Sequence, residues 1–179
     1  MRKVILIFGF ISGTIISVLM LISTLFMADG TIDFENGEVI GYSTMVIALS
    51  MVFFGIKSYR DNYQNGAITF TKGLQVGIMI TLIASLMYAF SWELYYQNQP
   101  EDQPSFMESY VEFSINKMKT DGASEAEVNQ AIQEMNNMAE MYENPFVRFG
   151  FTLAEILPVG IIITLLSAAL LRKESFLPA

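Results

Sequence analysis

The chain has 179 residues, 53% of them hydrophobic and 16% charged, with a formal charge of −8 at pH 7. That acidic balance argues against nucleic-acid binding, which needs a basic footprint. Cysteine and histidine are both missing, which removes disulfides, thiolate metal sites, thiol nucleophiles, a lipoprotein anchor and the commonest general base together.

The hydrophobic residues are clustered rather than spread. A helix rises about 1.5 Å per residue and a hydrocarbon core is about 30 Å thick, so about 20 apolar residues cross it. Residues 4–28, 39–56 and 73–92 contain no charged residue, and residues 149–171 contain only Glu155. The fold class expected is therefore an all-α membrane protein, a single domain over residues 1–179 with spans near 4–28, 39–57, 72–96 and 147–171. The first run follows Arg2 and Lys3 as a signal peptide would, but it far exceeds an h-region and Phe26 spoils a small-residue cleavage site ending at Ala28. It is expected to stay attached.

Between the second and third spans, Asn65 and Gly66 form a turn pair, and Thr69 or Thr71 is placed to cap the third helix. Tyr59, Arg60, Asp61 and Tyr63 read as anchors at the membrane edge, with contact to a cytoplasmic partner as the alternative.

The segment over residues 97–145 is too long for a bare connector. Ser105 precedes Glu108 by three residues and Ser124 precedes Glu127 likewise, two capping-box patterns with Gly122 as the stop between them. A helical hairpin is expected near residues 104–144. Phe106, Met107, Tyr110, Val111, Phe113 and Met118 would form one apolar face, and Val128, Ala131, Met135, Met138 and Tyr142 the other. Met135, Met138 and Met141 also spell a thioether spacing that suits Cu(I), but two of them coincide with that face and no histidine or cysteine supports them. The reading here is packing, with no metal and no cofactor.

If the spans alternate, Arg2, Lys3, Lys57, Arg60, Lys72, Arg172 and Lys173 share one side and only Lys117, Lys119 and Arg148 lie on the other. The positive-inside rule then puts both termini in the cytoplasm. The acidic residues Asp29, Asp33, Glu35 and Glu38, with most of those between Glu101 and Glu143, fall outside. Solubility of an exposed loop explains that charge without a bound cation.

Small residues recur every fourth position: Gly9, Gly13 and Ser17 in the first span, Gly73, Gly77, Thr81, Ser85 and Ala89 in the third, and Gly160, Thr164 and Ala168 in the fourth. Such ridges let backbones approach and suit crossed helix pairs. The matching spacing of the first and third spans hints at duplicated hairpins, although ordinary membrane-helix packing produces the same pattern.

Glu155 is the sharpest functional candidate, because an acid within a span should face protein or water and often marks a proton or cation route. With the span starting at residue 149 it lies about 9 Å inside the boundary. Glu93, beside Trp92, Tyr95 and Tyr96, lies shallower, at a depth from which it can snorkel to the interface. Pro158 gives no N–H to the Ala154 carbonyl, leaving a free acceptor and a kink next to Glu155. Two readings stand for Glu155: a hydrogen-bonded glue between helices, and a site for protons or cations in transport.

No phosphate-binding glycine loop, H-E-x-x-H or G-x-S-x-G occurs, and no histidine is present to activate a serine, so no enzyme activity is expected.

Four blocks carry a resemblance: YRDNYQNGAITFTKGLQVG across residues 59–77, SWELYY across 91–96, YENP across 142–145 and TLAEILPVG across 152–160. Over nearly its whole length the chain resembles the bacterial family catalogued as domain of unknown function 4199, small membrane proteins chiefly from Bacteroidetes-type bacteria. The resemblance implies four spans in the inner membrane, an outer helical insert, no known cofactor and no established activity. It draws attention to Asp61, Glu93, Glu155 and Pro158, which stand inside the recurring blocks, and gives them no role.

The expectation is thus a non-enzymatic structural, accessory or assembly component of the bilayer, working with a second copy or a membrane-protein partner. The alternative is a small transporter or channel component in which Glu155, with or without Glu93, takes up a proton or cation.

Overall fold

A computed structural model describes residues 1–28, 30–100 and 104–173; Asp29, Glu101 and Asp102, counted above among the acidic loop residues, lie outside them. The described chain is helical: α1 Arg2–Ala28, α2 Phe34–Leu49, α3 Met51–Tyr63, α4 Phe70–Gln97, α5 Phe106–Thr120, α6 Glu125–Tyr142 and α7 Pro145–Leu171. Four stretches, Arg2–Ala28, Phe34–Tyr63, Phe70–Gln97 and Pro145–Leu171, are long and apolar enough to cross a membrane. The chain forms two compact units, one of Met1–Ser91 with Thr152–Ala179 and one of Trp92–Phe151.

In the first unit the small-residue ridges set the helix register. Gly9 faces the side chain of Ile83 and Gly13 that of Met87, while the Ser91 hydroxyl donates to that of Ser17 at 2.9 Å. Residue numbers rise together along both helices, so α1 and α4 run parallel. Gly73 faces Ala168, Gly77 faces Thr164 and Gly160 faces Thr81, numbers that run oppositely, so α4 and α7 are antiparallel. Gly55 of α3 sits against Ile80 and Phe8, and the Ser12 hydroxyl donates to the Ala48 carbonyl at 2.8 Å, which places α2 and α3 antiparallel to α1. The result is an up-down-up-down arrangement. With lipid outside there is no hydrophobic drive between helices, so close backbone approach and hydroxyl bonds hold them. Thr81 and Thr164, both buried, share such a bond at 3.1 Å.

The second span is longer than the 39–57 stretch expected, and it is divided at Ser50. The Asp33 carboxylate accepts the Asn36 N–H at 2.7 Å and starts α2 well before the uncharged run begins. At Ser50 the hydroxyl donates to the Ile47 carbonyl at 2.6 Å, and Phe53 N–H bonds the Ser50 carbonyl at 3.0 Å, a three-residue turn in place of a four-residue one. Hydrophobic run length reports what can lie in lipid, not where a helix begins. The following turn matches its residues: Asn65 and Gly66 adopt φ of 51° and 81°, and Thr69 caps α4 by accepting the Lys72 N–H at 3.2 Å. Ile68 then exchanges backbone bonds with Lys173 at 2.9 and 3.0 Å.

In the second unit α5 and α6 pack as a hairpin, with Gly122 at φ 84° between them. Both capping boxes are formed. Glu108 and Glu127 take back the N–H groups of Ser105 and Ser124 at 2.7 and 2.8 Å while each serine hydroxyl accepts the N–H three residues on. Met107 and Val128 are buried, but Tyr110 and Met138 are exposed, so the paired faces are shallower than their periodicity suggests. Met141 is exposed too. Two helices without a third layer cannot cover a broad apolar face.

Gly160→Ala sets a methyl against the β-branched Thr81 and is expected to cost about 1–3 kcal/mol in denaturant unfolding of the detergent-solubilised chain. Gly41→Ala, with open space around it, should match the parent or exceed it slightly. The Ser124 N–H, then its hydroxyl, hold the Glu127 carboxyl below its ordinary value, with weak desolvation opposing. A group depressed on folding stabilises α6 above its unfolded pKa, and that contribution disappears as pH falls through the folded one. An NMR titration should place Glu127 below a free glutamate, and Ser124→Ala, which removes the hydroxyl but keeps the N–H, should raise it only part of the way.

Candidate functional site

Two acids inside long apolar helices compete for attention, and the structure treats them oppositely. Glu93 lies near the end of α4, in the second unit. Arg148, one turn into α7, donates to it twice, Nε to Oε2 at 2.8 Å and Nη2 to Oε1 at 2.6 Å. This is the fork geometry that matches a guanidinium to a carboxylate. The remaining Nη1 donates to the carbonyls of Tyr142 at 2.9 Å and Glu143 at 3.5 Å. The guanidinium carbon stands 4.0 Å over the Tyr96 ring, a cation–π contact. Trp92 closes the cluster by donating its indole N–H to the Tyr142 hydroxyl at 2.8 Å, and Phe106 meets the Trp92 ring edge-on at 4.9 Å.

Glu93 therefore does not snorkel. Its side chain is 14% exposed and that of Arg148 4%. Snorkelling is what a lone acid does; this one has a cation one helix away. Both carboxylate oxygens are occupied, the second also by Gln97 at 2.6 Å, which makes Glu93 an anchor and not an open acid. Arg148 stood in the sequence only as one of three basic residues on the outer side. Fifty-five positions separate the partners, and the one local hint is that both fall beside tyrosines in the SWELYY and YENP blocks.

Glu155 belongs to the first unit and is exposed. Along α7 the buried positions Thr152, Ile156, Gly160, Thr164 and Ala168 form one ridge, the last three against α4. Glu155 precedes Ile156 by one residue, hence sits about 100° around the helix from that ridge. It shares the outward side with Ala154, Pro158, Ile161, Ile162 and Leu165, all exposed. Among the described residues it makes no hydrogen bond and no ion pair. Of the two readings left open by the sequence, a hydrogen bond from Glu155 to a neighbouring helix is not formed among the described residues, because the ridge turns the other flank of α7 inward. Extending the small-residue ridge upward from Gly160 by two four-residue steps was the signal that places it.

Pro158 lies within α7 on that same outward side and supplies no N–H to the Ala154 carbonyl. Gly9, Gly13, Gly73, Gly77 and Gly160 all stand at helix contacts. Ser85 of the third-span ridge is buried, and its hydroxyl finds no partner among the described residues. On the hairpin, an open groove of about 440 Å³ runs between α5 and α6, with Val111, Ile115 and Ile132 in its lining and Glu108, Glu112 and Lys119 alongside. No group of three or more His, Cys, Asp or Glu side chains is placed to hold a metal among the described residues.

The family model described as "Protein of unknown function (DUF4199)" matches residues 7–173, nearly the whole chain. No curated protein and no solved structure matches it.

Arg148→Met strands the Glu93 carboxylate and is expected to destabilise the chain by about 3 kcal/mol, the scale of a broken buried pair. Adding Glu93→Leu to that variant should return most of the loss. A double-mutant cycle on unfolding in detergent reads both.

Proposed function

The chain belongs to the DUF4199 family of proteins of unknown function, and from that premise we propose that it is a non-enzymatic, multi-pass assembly component of a bacterial inner membrane. Both termini lie in the cytoplasm and the α5–α6 hairpin lies outside; the seven basic residues at one set of helix ends support this orientation. The single observation that carries the role is the Glu155 carboxyl, exposed on the flank of a membrane helix with no hydrogen-bond or ion-pair partner among the described residues. A carboxyl held against hydrocarbon costs roughly 3 kcal/mol even on lenient scales, and a helix from another subunit removes that cost. Assembly therefore completes α7. Transport has weaker support, since the acid lies on the outside of the bundle and not along a passage through it.

A photo-crosslinking residue in place of Ile162, exposed on the same side two turns below Glu155, tests the role in native membranes. Specific protein adducts are expected. Recovery of the uncrosslinked monomer alone would remove the assembly reading. Reporter fusions at the two termini should both report the cytoplasm, and opposite signals would overturn the orientation.

A further inference from the structure

The chemistry of the missing contact narrows what makes it, and this step rests on the assembly reading above. Glu155 is an acceptor when ionised, and the carbonyl of Ala154, one residue away on the same side, receives no N–H from Pro158. This flank of α7 thus presents a carboxyl and an under-used carbonyl side by side, and what complements both is a cationic donor.

The first unit of a second copy does not bring one. The register of Thr81 on Gly160 and of Gly73 on Ala168 sets Glu155 level with about Leu86 of α4, and that of Gly13 on Met87 sets it level with about Ser12 of α1. The cations of the first unit, Arg2, Lys3, Lys57, Arg60, Lys72, Arg172 and Lys173, cluster at the opposite helix ends. On α7, Arg172 lies seventeen residues or about 25 Å beyond Glu155 along the axis, while Arg148, seven residues or about 10 Å before it, is already held by Glu93. In a copy inserted in the same sense, no cation of this unit comes level with Glu155; a two-fold contact through the face would add a second carboxyl instead.

We propose that the outward side of α7 around Ala154, Glu155 and Pro158 is the docking site for a transmembrane helix of a different protein, one carrying a lysine or arginine level with Glu155. The flat proline and the small alanine let that helix approach, and its cation reaches the carboxylate and the Ala154 carbonyl together.

The test uses the full-length chain, donor-labelled, in phosphatidylcholine vesicles with acceptor-labelled leucine–alanine host helices that carry either lysine or leucine level with Glu155. Energy transfer should show the lysine host associating about tenfold more tightly than the leucine host, the scale of one interhelical polar contact. Glu155→Leu should erase that preference, and Glu155→Gln, which keeps the shape of the side chain, should reduce it. Equal association of the two hosts, or a lysine preference that survives both substitutions, overturns the proposal. So does loss of the preference when phosphatidylethanolamine is added, which would assign Glu155 to a lipid amine. If the crosslinks from position 162 recover only a second copy, assembly stands and the basic partner helix falls.

Discussion

A polar group in hydrocarbon must find a partner, because no water is there to supply one. Most of this chain is arranged by that requirement. Its backbone groups satisfy one another within helices, and the helices meet where glycines leave room and hydroxyls can reach across. The Ser12 bond to the Ala48 carbonyl and the Thr81–Thr164 pair are small contacts, each buried and each between different helices. They fix register where apolar packing alone would allow sliding. Gly160 against Thr81 shows the two devices at one level: the glycine makes space, and the threonine fills it with a branched side chain.

The same requirement explains why two glutamates with similar sequence surroundings end differently. Glu93 has its charge neutralised within the chain by a guanidinium that is itself tied to two backbone carbonyls and laid on a tyrosine ring. Glu155 has the same chemistry and none of those contacts. A folded chain that satisfies one intramembrane acid so fully has the means to satisfy a second. That it leaves Glu155 facing outward is the observation on which the proposed assembly rests.

How much of this was legible in the residues follows from the range of each interaction. The four spans were, because insertion into lipid is decided by each run of about 20 residues on its own. The capping boxes at Ser105 and Ser124 were, because every atom involved lies within three positions. The glycine ridges of α1, α4 and α7 were visible as a spacing, but the side chains they face, Ile83 and Met87 for α1, were not, since spacing gives a face and no partner. The ion pair of Glu93 with Arg148 was invisible for the same reason. The break at Ser50 escaped because one hydroxyl bonding its own helix leaves no mark on hydropathy. The shallow burial of Met138 needed the knowledge that only two helices form the hairpin.

The facing of Glu155 was one inference away. A ridge of small residues says which side of a helix is buried, and Thr152 and Ile156 continue the series begun by Gly160, Thr164 and Ala168. Once that side is fixed, the side chain next to Ile156 is carried round to the flank by helix geometry alone. An intramembrane acid is usually assigned an interior position because an exterior one is costly. That cost belongs to the isolated chain in lipid, and it is the cost that the proposed association would remove. The position of an ionisable residue relative to the packing ridge of its own helix therefore separates acids that a chain uses internally from acids that it offers to another.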